Sequence, residues 1–150
     1  MVFHEYLLLG LQVLDCTQNK DEVIYIMKIN EAIMYQTSVK EIGQDALDFS
    51  EIKMAIFFGD SAPDALRSSC YLIDVYPVNG LIEPGMSLVI DDEDYRITAV
   101  GHEVQRNLVN LGHMAVSFTG KQQAELAGTL YVTDTEVPEM KTGSTIMIKA

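Results

Sequence analysis

From Met34 to the C-terminus the chain is written in short apolar or alternating runs, separated every ten or so residues by turn-forming residues. Strands of that length and spacing close into sandwiches or barrels, whereas parallel α/β folds need long helical patterns between their strands. Eight such runs are legible, at 35–42, 53–58, 71–76, 87–90, 95–100, 114–118, 129–133 and 145–149. Two short helical stretches interrupt them. Residues 61–67 open on Ser61, a capping residue, with Pro63 and Asp64 in the first turn, where a missing N–H is harmless and a negative charge suits the dipole. Residues 103–111 set Val104, Leu108 and Leu111 on one face and stop at Gly112, a residue type that accepts the left-handed helix end. An ungapped echo relates 82–90 to 140–148, with Gly85 and Gly143 in register and Leu88/Ile146 and Ile90/Ile148 on the same strand face. Two alike strand entries predict quasi-symmetric pairing in a closed barrel, which also removes exposed sheet edges. The fold class that follows is all-β: a small closed β-barrel of about seven or eight short strands with one or two short helices.

The length of 150 residues, 48% of them hydrophobic, matches roughly one domain with a real core. Twenty-two acidic residues against ten basic ones leave a net charge of −12, a field that repels phosphate backbones and anionic lipid. Nucleic acid is therefore not expected as a partner, and neither is direct membrane insertion. The apolar run at 6–14 is far shorter than the roughly 18–20 residues of a membrane span. It also lacks the basic flank and small-x-small site of a signal peptide, and Asp15 before Cys16 is wrong for a lipid-modified cysteine. Residues 1–33 read as a peripheral extension, with Met27 and Met34 as later starts, and 34–150 as the functional domain. Two cysteines, Cys16 and Cys70, make no disulfide framework, which points to a reducing, cytoplasmic setting.

Site chemistry is sparse. No phosphate-cradling glycine loop, dinucleotide fingerprint, nucleophile elbow or metal-binding histidine pair is present, so neither cofactor nor metal is expected. The acidic run 91–94 lacks the alternating ligands and closing glutamate of a calcium loop and reads as a solvated hairpin tip. Of three histidines, His4, His102 and His113, the last follows a helix C-terminus. A neutral imidazole there is a nitrogen nucleophile that accepts or relays a phosphoryl group, or else a ring tied to a backbone carbonyl at the helix-to-strand junction. Cys70 reads as a small buried hydrophobe. Asp74, among strand-like neighbours, reads as a solvent-facing strand position.

Several motifs in fixed order carry a resemblance: Ala99-Val-Gly101, Asn107-Leu-Val-Asn-Leu-Gly-His113, Val116-Ser-Phe-Thr-Gly120 and Glu125-Leu-Ala-Gly-Thr129. Further matches are Tyr35-Gln-Thr37, Ile42-Gly43, Gly59 with Ala62-Pro63, Cys70, Pro84-Gly85 and Gly143-Ser144. Over about residues 34–150 the chain resembles the glucitol/sorbitol-specific IIA component of the bacterial phosphoenolpyruvate-dependent sugar phosphotransferase system. The resemblance implies a cytoplasmic β-barrel phosphotransferase component. In that family a histidine takes a phosphoryl group from the histidine-containing phosphocarrier protein and passes it to the IIB component, which with IIC serves sugar uptake. The family's accepting histidine lies three residues after the cysteine matched by Cys70, and here that position is Ile73, which has no lone pair. Asp74, by a one-residue slip, and His113 are the substitute carriers. The resemblance thus leaves two readings: a phosphoryl-relaying IIA component, or a IIA-like domain that has lost transfer and acts as a binding or regulatory module. An unrelated acidic barrel scaffold is a third, more distant one.

Overall fold

The computed structural model describes residues 20–150, so the run at 6–14, His4 and Cys16 lie outside the described residues. The chain divides into two compact units, 1–33 and 34–150. The described part of the first unit is helix α1, Lys20–Ala32, with Asp21 and Glu22 in its first turn, where their charge suits the dipole.

The second unit is a closed barrel in the order β1-β3-β2-β6-β7-β5-β4-β8. The strands are β1 (Ile33–Ile42), β2 (Met54–Phe58), β3 (Tyr71–Ile73), β4 (Ser87–Ile90), β5 (Glu93–Val100), β6 (Met114–Ser117), β7 (Thr129–Val132) and β8 (Thr145–Lys149). All eight expected runs are strands, and the all-β barrel is the observed fold. The ladder between β8 and β1 closes through Val39 N–H to Ser144 O at 2.9 Å and Gly143 N–H to Val39 O at 2.7 Å. Closure leaves no edge strand to template pairing with another chain. The two echo strands are direct neighbours: Leu88 faces Ile148 and Ile90 faces Ile146 across the antiparallel pair β4/β8. All four side chains are buried, and the matched turn glycines have nearly the same backbone, with φ of 95° at Gly85 and 94° at Gly143. The echo is therefore a local two-fold of the barrel wall, its inward positions feeding one core.

The barrel interior is filled by alternate residues of every strand, among them Tyr35, Val39, Phe57, Tyr71, Ile73, Leu88, Ile97, Val116 and Leu130. A smaller apolar cluster, Phe58, Ala62, Cys70 and Leu72, packs separately. Because successive strand side chains point to opposite faces, Tyr71 and Ile73 belong to the inner cluster and Leu72 between them to the smaller one.

Three local expectations need correction: the start of the first barrel-unit helix, the end of β3 and the strand position of Asp74. The first barrel-unit helix, α2, is Asp64–Arg67; Ser61 does not cap it, and Pro63 stands at the cap position with an extended ψ of 144°. Pro63 also disfavours helical geometry at Ala62, so the helix cannot begin earlier. Strand β3 ends at Ile73 rather than running to Tyr76, because the Asp74 carbonyl is taken by the Thr37 hydroxyl at 2.9 Å and Pro77 has no N–H for a ladder. Asp74 therefore lies just past the strand. The 91–94 tip is the exposed hairpin turn expected, and Asp91 adds a link to it: with a left-handed φ of 53°, its Oδ1 accepts from Thr145 N–H and its Oδ2 from Ser144 Oγ, both at 3.1 Å. It pins the β4–β5 turn to the start of β8. A 3-10 helix, Ala46–Ile52, had no sequence signal, since only Ala46 of its seven residues is buried.

Candidate functional site

Three chain segments converge at the C-terminal ends of the parallel pair β2/β3, where Phe57 is in register with Tyr71 and Phe58 with Leu72. The third is the junction between helix α3, Val104–Leu111, and β6. Helix α3 buries Val104 and Leu108 of the expected apolar face but leaves its third member, Leu111, exposed in the last turn, and it ends at Gly112 in the left-handed conformation with φ 65°. Gly112 N–H bonds Leu108 O at 3.0 Å and His113 N–H bonds Asn107 O at 3.2 Å, which satisfies carbonyls the helix end would otherwise orphan. Gly59 N–H reaches Leu111 O at 2.9 Å. A Cβ at Gly59 would lie 2.5 Å from Val75 Cγ2 and 2.6 Å from Leu111 O, so glycine is the residue that lets these segments meet.

His113 is held on two sides. Its Nδ1 lies 3.1 Å from the Phe57 carbonyl oxygen, and its ring stacks on Phe58 with centroids 4.3 Å apart and planes 28° from parallel. A carbonyl carries no proton to give, so Nδ1 is the donor, and in the neutral ring Nε2 keeps its lone pair. Among the described residues Nε2 has no hydrogen-bond partner, and it is not among the sealed unpaired atoms, which comprise the Tyr35 hydroxyl alone. With the residue partly exposed, Nε2 opens to solvent.

Ile73 is fully buried in the barrel interior, opposite Val39 of β1. Phe58 and Leu72 belong to the smaller cluster, and His113 stacks on Phe58. Ile73 and His113 are thus served by different faces of the same wall. Asp74 has a side chain 40% exposed and pairs with Lys40 Nζ at 3.2 Å; Lys40 also reaches Asp60 at 3.1 Å. These two carboxylates, through hydrogen bonds first, raise the Lys40 pKa and keep its ammonium charged. Cys70 is buried and free, and burial pushes its thiol pKa up, away from the reactive thiolate. His102 is at the surface, with Glu103 as its nearest acid at 3.9 Å.

Sequence reasoning missed Tyr35 as an unusual group. It is sealed in the core and its hydroxyl has no hydrogen-bond partner, while the nearby Thr37 hydroxyl donates to Asp74 O. Desolvation pushes the Tyr35 pKa up to about 12, with the Thr37 hydroxyl opposing that shift and the Asp74 and Tyr76 charges adding to it. Among the described residues no group of three or more His, Cys, Asp or Glu side chains is arranged to hold a metal ion. No helix among them is long and apolar enough to cross a membrane.

Comparison with known proteins converges on one family. The family model described as "PTS system glucitol/sorbitol-specific IIA component" matches residues 34–147. The Escherichia coli (strain K12) protein of that description is 30% identical over 118 residues, covering 79% of this chain and 96% of its own. The Shigella flexneri protein matches to the same extent. The crystal structure of a PTS system IIA component from Enterococcus faecalis V583 superposes with a TM-score of 0.69 at 29% identity, covering 77% of this chain and all of that one.

Proposed function

Since the chain belongs to the glucitol/sorbitol-specific IIA component family of the sugar phosphotransferase system, we propose that it relays a phosphoryl group, with His113 as the carrier. The donor is the histidine-containing phosphocarrier protein, the recipient the IIB component acting with IIC, and the setting the cytoplasm. Residues 34–150 are the working domain in this reading, and 1–33 a peripheral extension.

The observation that carries the proposal is the His113 ring. It is a nitrogen nucleophile held in place on one side and open to solvent on the other. Phosphoryl transfer between proteins is mostly a matter of holding acceptor and donor in line, and a fixed imidazole meets that need without metal or cofactor. Ile73 offers no electron pair, and the Asp74 carboxylate is engaged by Lys40. A partner using His113 approaches the end of β2 and β3 on the Phe58 side, not the barrel interior.

The test is labelling of the intact protein with radioactive phosphoenolpyruvate, enzyme I and the phosphocarrier. One acid-labile, base-stable phosphoryl group per chain is expected, lost in His113→Ala. A base-labile label would move the carrier to Asp74, and no label at all would leave a IIA-like binding or regulatory module.

A further inference from the structure

We propose that the open recess between β1 and the start of β8 binds a small uncharged polyhydroxy molecule, of the class of sugars and sugar alcohols, through Gln36, Ser38, Tyr76 and Thr145 over a floor of Thr37. The inference stands apart from the phosphoryl relay and uses none of the groups around His113.

Three successive residues of β1, the first residue of β8 and Tyr76, past the end of β3, line a recess of about 310 Å³. That is the small end of the roughly 300–1,000 Å³ of small-molecule sites. All five lining side chains carry a neutral hydroxyl or amide, and none is charged. Among the described residues, the side chains of Gln36, Ser38, Tyr76 and Thr145 have no hydrogen-bond partner, so donors and acceptors stand unused at the rim. Thr37 forms the floor: it is buried, its proton goes to the Asp74 carbonyl at 2.9 Å, and its oxygen keeps lone pairs that can accept. Two residues away on the same inward face of β1, the Tyr35 hydroxyl is sealed and unpartnered. Unmet hydrogen-bonding capacity therefore runs from the rim to the wall beneath it.

The lining selects by what it lacks. An anion needs a cation, and none lines the recess; Lys40, two residues from Ser38, is held between Asp60 and Asp74, and the net charge of −12 adds repulsion. A cation needs carboxylates, which are equally absent from the lining. An apolar ligand would strip water from these polar groups without replacing its hydrogen bonds. A polyol brings hydroxyls that each donate and accept, as the side chains opposite them do. Its C–H face can also cover the Tyr76 ring, which is half-exposed and amphipathic. Tyr76 is presented by a fixed backbone, since the Asp74 carbonyl is tied to Thr37 and Val75 packs against Gly59 and Gly112. Neutral hydrogen bonds exchanged with water gain little each, so the expected dissociation constant is about 1–10 mM.

Titration of the 15N-labelled full chain with glucitol, glucose and glucitol 6-phosphate, followed by amide NMR, tests this. Saturable shifts confined to Gln36, Ser38, Tyr76, Thr145 and their neighbours are expected with at least one of the two neutral probes. Glucitol 6-phosphate should bind more weakly than glucitol. No saturable shift with either neutral probe up to about 100 mM, well above the expected constant, overturns the proposal. Saturable shifts centred elsewhere overturn it too, and tighter binding of the phosphate ester overturns the selection for an uncharged ligand. Tyr76→Ala and Gln36→Leu change exposed side chains, so both should melt like the parent and each weaken binding by about 3- to 10-fold. Unchanged affinity in both folded variants removes the site from this recess. His113→Ala should bind the neutral probe as the parent does, which separates this site from the relay; lost binding in that variant would place the ligand at the His113 junction instead.

Discussion

Placing histidine at the family's acceptor position, Ile73→His, tests whether that position is chemically reachable in this chain. Ile73 is fully buried and faces Val39 inside the barrel. Burying an isoleucine side chain is worth about 1.5–3 kcal/mol, most of which an imidazole forfeits. Sealing an imidazole among hydrocarbon neighbours costs about 1–3 kcal/mol more for polar nitrogens without partners. The sum, about 3–6 kcal/mol, is a large fraction of the roughly 5–15 kcal/mol that holds a domain together. At about 3 °C per kcal/mol, the melting temperature should fall by about 10–20 °C. Ile73→Val, which removes only a methylene, should cost about 1 kcal/mol and so separates lost volume from introduced polarity. The deficit should also depend on pH. Desolvation depresses the folded-state pKa of the introduced imidazole, so below about pH 6.5 the unfolded chain binds a proton that the folded one does not. Stability then rises with pH through that window, and the variant worsens as pH falls. Thermal melts at pH 8 and pH 5.5, together with phosphocarrier labelling, measure both effects. A variant that melts like its parent and gains a second acid-labile phosphoryl group at position 73 would refute the argument, because it would show that this side chain is not sealed in the core.

Three further outcomes follow from other parts of the barrel. Tyr35→Phe removes an orphaned buried hydroxyl and should leave stability unchanged or raise it by up to about 1 kcal/mol at neutral pH. With the Tyr35 pKa up at about 12 in the fold, the unfolded chain loses that proton first as pH rises through about 10, so stability falls between about pH 10 and 12; Tyr35→Phe should flatten that fall in alkaline denaturation curves. Asp91→Ala loses both bonds to the start of β8 and puts a Cβ without compensation at a left-handed φ, a cost of about 2 kcal/mol in urea unfolding, whereas Asp91→Gly, free of the backbone strain, should cost about 1 kcal/mol. Deleting 1–33 should leave a protein with one cooperative melt, as 34–150 forms a compact unit by itself; an insoluble or non-cooperative product would show that the extension completes the fold.

The barrel was legible because its code is period-two burial between turn residues, and that code is local. The 82–90 and 140–148 echo goes further: similarity at a distance of 58 residues in sequence foretold contact in space, since two equivalent turn-Gly-strand units related by a local two-fold pair with each other. What escaped were features decided by partners remote in sequence. The end of β3 is set by the Thr37 hydroxyl capturing the Asp74 carbonyl, a bond across 37 residues. Asp91 looks like one of four interchangeable acids until Ser144 and Thr145 are brought beside it. The orphaned Tyr35 hydroxyl is invisible in sequence for the same reason: whether a buried phenol finds a partner depends on which polar groups the fold brings within reach of it.

The candidate site shows how far a resemblance carries chemistry. The fold brings Cys70, Ile73 and His113 to one end of the β2/β3 pair, but alternation along β3 separates what they do. Leu72 looks toward Phe58 and Cys70, while Ile73 looks into the barrel, so shifting the reading by one residue exchanges a cluster at the wall for the sealed core. A histidine at 73 and the histidine at 113 are consequently not interchangeable carriers, even though both belong to the same end of the β2/β3 pair. If this chain relays phosphate through His113, its donor must dock against the Phe58 side of the wall, and the acidic surface implied by a net charge of −12 favours a basic partner there. Salt dependence of the labelling rate is the consequence: screening should slow phosphoryl uptake as ionic strength rises above about 0.1 M, with the final stoichiometry unchanged. A rate indifferent to salt would mean that the docking is carried by the apolar rim of Val75 and Leu111 alone.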